Sequence, residues 1–91
     1  MSKLDILKNK LSTQSLQITS WLEACNVASD DNTHPLLSRA IYSAMDNVED
    51  MQKEGYSSTE AFKYFHGSVQ SCIDNAEGMY GEDFVKSCVQ K

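Results

Sequence analysis

Apolar residues recur at alternating steps of three and four along the first third of this chain. The positions that follow the pattern are Leu4, Leu7, Leu11, Ile18, Trp21, Cys25 and Ala28, with Gln14 as the interruption. A spacing that averages about 3.5 residues keeps one stripe of side chains facing a neighbouring helix. The pattern therefore predicts a first helix over residues 2–27, with Trp21 near the centre of the core. Residues 12–15 have middling helix propensity, so this is where the helix would bend or break.

Start and stop signals divide the rest of the chain into three further helices. Pro35 suits the first turn of a helix, and Gly55 suits the left-handed position that ends one, which predicts a second helix over residues 35–54. Ser57 and Glu60 have the spacing of a capping box and predict a third helix over residues 58–77. A short amphipathic segment after two glycines predicts a fourth helix over residues 82–89.

These elements predict an all-α fold. The expected architecture is an antiparallel up-down-up three-helix bundle with a short C-terminal fourth helix, in one domain over residues 1–91. A chain of 91 residues buries only about 60–65% of its unfolded surface, which leaves little room for a deep internal pocket. Function is therefore expected on the surface.

The charge is acidic and unevenly distributed. The formal net charge is −5, and residues 29–91 hold eleven acids against five bases. Proteins that bind nucleic acid or anionic membranes without sequence specificity use clustered Lys and Arg, so the composition argues against both partners. A protein partner with a basic surface fits this charge better.

The cysteines and the N-terminal segment indicate a cytoplasmic protein. Cys25, Cys72 and Cys88 fall where the helical pattern buries side chains, and no two of them have the CxxC spacing. This usage is typical of reduced core thiols. The first residues interleave charges with apolar side chains, unlike a signal peptide, and no stretch approaches the length of a membrane span.

No constellation of residues in the sequence indicates an enzyme. The two histidines, His34 and His66, have no acid or thiol at a recognisable catalytic or metal-ligating spacing. P-loop and dinucleotide-binding fingerprints are also absent from the sequence. We therefore expect a protein that binds rather than catalyses, without a metal or a cofactor.

The outward face of the second helix is the main candidate for partner binding. On a helical wheel Tyr42 lies about 140° from the apolar stripe, among Asp46, Glu49 and Asp50. An exposed tyrosine with an acidic rim is typical of a small interface that attracts a basic partner, although a solvated helix face is the simpler interpretation. Tyr64 points away from the inner stripe of the third helix and is a second candidate, unless the short fourth helix covers it.

The leading functional hypothesis is an inhibitor or regulator of a macromolecular partner. In size and charge the chain is similar to the small acidic proteins with which phages and mobile elements block host defence, anti-CRISPR proteins included. The alternative is a structural or chaperone-like assembly subunit, a homodimer that pairs through its first helix, whereas the inhibitor is expected to be a monomer. A nucleic-acid mimic is less favoured, because the carboxylate row of Asp46, Asp50 and Glu54 is short.

Overall fold

Six helices make up the part of the chain that the structure describes. The structure, a computed structural model, describes residues 3–89 and the side chains of residues 5–87. The helices are α1 (Lys3–Leu16), α2 (Trp21–Ser29), α3 (Pro35–Lys53), α4 (Ser58–Asp74), α5 (Ala76–Tyr80) and α6 (Glu82–Val89). Residues 3–89 contain no strand, which confirms the predicted all-α class and a helical bundle. The described helices number six and not four, because the first and third predicted helices are each divided; the predicted third helix, 58–77, ends at Asp74 with Asn75 as its cap, and α5 follows as a separate short helix. The predicted positions of the Leu4 and Cys88 side chains lie outside the described side chains.

The predicted continuous first helix, 2–27, is wrong, because the chain leaves the helix between α1 and α2. Ser20 caps α2, and its hydroxyl accepts a hydrogen bond from the Glu23 amide at 3.1 Å. The Glu23 carboxylate reaches back and accepts hydrogen bonds from the Thr19 amide and hydroxyl, at 3.0 and 2.7 Å. These bonds satisfy amides at the start of α2 that a continuous helix would have paired internally.

The break also changes the direction of the chain and the face that α2 buries. Gln14 and Asp30 line the same surface groove, of about 330 Å³, whereas a continuous helix would separate them by about 24 Å. In its new phase α2 turns Ala24 and Ala28 inward and leaves Cys25 exposed. The prediction of a buried Cys25 is therefore wrong. Cys72 is buried, as predicted.

The largest helix–helix contact in the bundle is the antiparallel hairpin of α3 and α4. At the start of α3, His34 Nδ1 accepts a hydrogen bond from the Leu36 amide at 3.2 Å. The helix ends next to Gly55, whose φ of +99° lies in the left-handed region, as predicted. Ser57 caps α4 by accepting a hydrogen bond from the Glu60 amide at 3.2 Å, also as predicted.

The remaining long helices pack on this hairpin, α1 along α4 and α2 along α3. Lys8 Nζ donates to the Asp74 carbonyl at 3.1 Å, and Gln70 Nε2 donates to the Ser12 hydroxyl at 2.9 Å. Residue numbers rise along α1 as they fall along α4, so these two helices are antiparallel. The short α6 contacts both α1 and α3. No helix of residues 3–89 is both long enough and apolar enough to cross a membrane.

One apolar core lies between these helices. Its largest fully buried side chains are Phe65, Leu11, Ile18, Leu36, Leu37, Ile41, Ile73 and Val69. Trp21 is not at the centre, contrary to the prediction. It is partly buried and packs edge-on against Phe62 and Phe65, with ring centroids 4.9 and 5.3 Å away. The break makes Trp21 the first residue of α2, so its indole lies at the margin of the core.

Candidate partner-binding surface

An open groove lies between α2 and α3 on the surface of the bundle. Trp21 contributes to it from α2, and the α3 side chains that line it are Tyr42, Met45, Asp46, Val48, Glu49 and Gln52. The groove has a volume of about 520 Å³. We call this surface the α2–α3 groove.

The helical repeat of α3 explains the arrangement of these side chains. Asp46 and Glu49 follow Tyr42 at steps of four and three residues, so all three lie on one face of the helix. Val48 faces the core and is 3% exposed, which makes it part of the floor. Tyr42 is 52% exposed and stands at the opening. One helix therefore supplies an apolar floor and a polar rim.

Trp21 supplies the opposite wall of the groove. The hydrogen bonds at the start of α2 fix the position of its backbone, because Ser20 and Glu23 lie on either side of it in sequence. Edge-on contacts with Phe62 and Phe65 fix the indole. Trp21 therefore presents a rigid aromatic surface toward α3, and such a surface is suited to serve as an anchor for a bound side chain.

The rim of the groove is negatively charged. Asp46 and Glu49 are exposed carboxylates, and Asp50 is exposed beside them on α3. Lys53 Nζ lies 3.9 Å from Glu49 Oε1, and both side chains are mostly exposed, so this ion pair is weak. The Arg39 guanidinium lies over the Phe84 ring of α6, 5.0 Å from its centroid. The positive charge of Arg39 is therefore positioned against α6.

The predicted partner-binding residues fall into three places. Tyr42, Asp46 and Glu49 come together in the α2–α3 groove with the predicted exposure. Asp50 is exposed on α3 next to the groove but is not one of its lining residues. Tyr64 belongs to a different surface. The sequence analysis did not place Trp21 in the groove. The capping-box spacing of Ser20 and Glu23 was the signal that would have predicted a helix start at Trp21.

Tyr64 lines a second open groove, of about 440 Å³. Its other lining residues are Asn47, Gly67, Ser68, Ser71, Cys72 and Met79. Tyr64 is 49% exposed, so α6 does not cover it, and the neighbouring Met79 of α5 is 54% exposed. Within the described lining this groove carries no acidic side chain, in contrast to the α2–α3 groove.

The thiol of Cys72 lies at the buried side of the second groove, close to the Tyr80 hydroxyl. Burial raises the pKa of the Cys72 thiol. Burial also raises the pKa of Tyr80, whose hydroxyl is near Ser43 and Cys72 but lacks the geometry of a hydrogen bond with either. A thiol with a raised pKa stays protonated at neutral pH and is a poor nucleophile. Cys72 therefore acts as a packed core residue.

The described residues hold no group of three or more His, Cys, Asp and Glu side chains placed to bind a metal ion. The fold and the surface define a class: a small helical bundle with an open groove of aromatic and acidic side chains. Comparison with protein family models, with curated proteins and with solved structures gives no match to this chain.

Proposed function

We propose that this chain is a non-enzymatic binding protein that inhibits or regulates a partner protein with a basic surface. The observation that carries the proposal is the α2–α3 groove, in which Trp21 and Tyr42 lie beside Asp46 and Glu49. Aromatic side chains supply contact area at low entropic cost, and rim carboxylates attract and orient a basic partner. The groove thus combines an anchor with a steering charge.

The biological setting we propose is the blocking of host defence by a phage or mobile element, as anti-CRISPR proteins do. What supports it is the small size of the chain and its net charge of −5. The free thiols of Cys25 and Cys72 suit the cytoplasm, where such a protein would act. The assembly-subunit alternative loses the predicted contact of Leu11, which is 2% exposed within the single chain, and would have to use Ile6 and Leu16, the exposed apolar side chains of α1.

Affinity capture with matched variants tests this function. Tagged chain is used to recover partners from a lysate, alongside Tyr42→Ala and the control Tyr56→Ala. The two tyrosines have similar exposure, 52% and 48%, but only Tyr42 lines the groove. We expect Tyr42→Ala to lower the affinity for the specific partner, and with it the recovery, by about 5- to 150-fold, which corresponds to about 1–3 kcal/mol of lost anchor contact. Equal recovery by both variants, with helicity intact, would refute the groove as the binding surface.

A further inference from the structure

We propose that the occupant of the α2–α3 groove is a helical segment of the partner that presents arginine next to an apolar side chain. This inference rests on the proposed function and specifies the chemistry of the bound segment. Its support comes from the shape of the groove, from its charge, and from the aromatic side chains beside the carboxylates.

The shape suits a helix. The lining residues of α3 extend from Tyr42 to Gln52, which corresponds to about 15 Å along the helix axis. A lined face of this length along α3, with Trp21 as a wall on one side, matches about three turns of a partner helix, which then contributes anchors from one face, spaced three and four residues apart. Trp21 and Met45, which are both partly buried, offer most of the apolar surface against which such an anchor packs, and Val48 lies beneath them.

The charge of the rim favours a cation on the partner. Asp46 and Glu49 place two carboxylates on the rim, and Asp50 adds a third beside it. Within the chain, Glu49 is paired only loosely with Lys53, at 3.9 Å and in solvent. A cation from the partner can replace this weak contact at little cost.

The neighbouring aromatic rings favour arginine over lysine as that cation. A guanidinium stacks on an aromatic face and can also donate two parallel hydrogen bonds to a carboxylate. Trp21 and Tyr42 supply rings within the same groove as Asp46 and Glu49. An ammonium forms a point contact and holds its hydration shell more strongly, so it uses only part of this arrangement.

Trp21 provides a direct measurement of groove occupancy, because it is the only tryptophan in the chain. The probe is a blocked amphipathic peptide of about 15 residues with good helix formers, in which leucines and arginines lie side by side on one face at spacings of three and four residues. Two twins replace every arginine by lysine or by glutamate. We expect the arginine peptide to change Trp21 emission saturably and to bind about fivefold more tightly than the lysine twin, with no binding of the glutamate twin.

Charge-neutral variants locate the effect in the groove. Asp46→Asn with Glu49→Gln is expected to weaken binding of the arginine peptide by about tenfold. The control, Glu77→Gln with Asp83→Asn, removes two exposed acids of α5 and α6 and is expected to leave binding of that peptide unchanged. Binding of the glutamate twin, equal weakening by both double variants, or no response to any peptide overturns the proposed occupant. If capture of a partner still depends on Tyr42 in that case, the binding function stands and only the chemistry of the segment is wrong.

Discussion

At the scale of single residues, Trp21 has two roles in this structure. Its edges contact Phe62 and Phe65, which ties it to the core, and its exposed side lines the α2–α3 groove. A residue shared in this way couples the shape of a binding surface to the packing beneath it. A substitution that loosens the core here therefore also deforms the groove.

We predict that Trp21→Ala lowers the free energy of unfolding by about 2–4 kcal/mol, because a large, partly buried ring leaves a cavity beside Phe65. The neighbour Leu22 is 72% exposed and serves as the control. Leu22→Ala is expected to change stability by less than about 0.5 kcal/mol. Urea unfolding, monitored by circular dichroism, measures the stability of both variants. If the two variants unfold at the same urea concentration, Trp21 contributes no packing and its contacts with Phe62 and Phe65 are unimportant for stability.

At the scale of secondary-structure elements, the helix boundaries that carry local signals were predictable and the one between α1 and α2 was missed. Gly55 and Ser57 mark the turn between α3 and α4 in the sequence, and the structure uses both. Ser20 and Glu23 have the same spacing as Ser57 and Glu60. Their signal was hidden because the apolar spacing continues across the break, which resembles one long helix.

The candidate site was predictable to the extent that it depends on one helix. The repeat of α3 alone places Tyr42, Asp46 and Glu49 on an outward face, and this prediction is confirmed. The place of Trp21 in the groove depends on the direction in which the chain leaves α1. The exposure of Cys25 depends on which side of α2 faces the core after the break. Both are tertiary properties that periodicity does not encode.

The cap of α2 also makes a specific prediction about pH. Hydrogen bonds from the Thr19 hydroxyl and amide lower the pKa of Glu23 below its ordinary value of 4.5. A depressed pKa means that the carboxylate contributes stability above pH 4.5, and that this contribution is lost as the pH falls through the lower folded value. Glu23→Gln should therefore be less stable than the parent at neutral pH, and the difference should shrink on acidification. Urea unfolding over a series of pH values measures it; a difference independent of pH contradicts the prediction.

At the scale of the whole molecule, charge is unevenly distributed along the chain: residues 29–91 hold eleven acids against five bases, whereas residues 1–28 hold two acids against three bases. Lys8 contacts the C-terminal carbonyl of Asp74, where a cation favours the helix dipole of α4. The net charge of −5 is therefore not spread evenly along the chain, and Asp46, Glu49 and Asp50 place part of it on one exposed face of α3. Such an acidic face orients a basic partner before contact.

We predict that Asp46→Lys with Asp50→Lys slows association with a captured partner by about tenfold at low salt and reduces the salt dependence of the rate, while dissociation changes less. The control Glu77→Lys with Asp83→Lys makes the same change in net charge on α5 and α6. Stopped-flow measurements at several salt concentrations separate a local effect from a general one. If both double variants slow association equally, net charge and not the face of α3 governs the encounter.

The pairing of α1 with α4 has a consequence for the order in which the chain matures during synthesis. The bonds from Lys8 to Asp74 and from Gln70 to Ser12 join residues 66 and 58 positions apart. During synthesis α1 therefore stays unburied until α4 has been made, whereas α2 and α3 are closer in sequence and can meet before that point. The groove that we propose for partner binding is completed at the same stage as the burial of α1, because Phe62 and Phe65 of α4 hold the Trp21 ring that forms one of its walls.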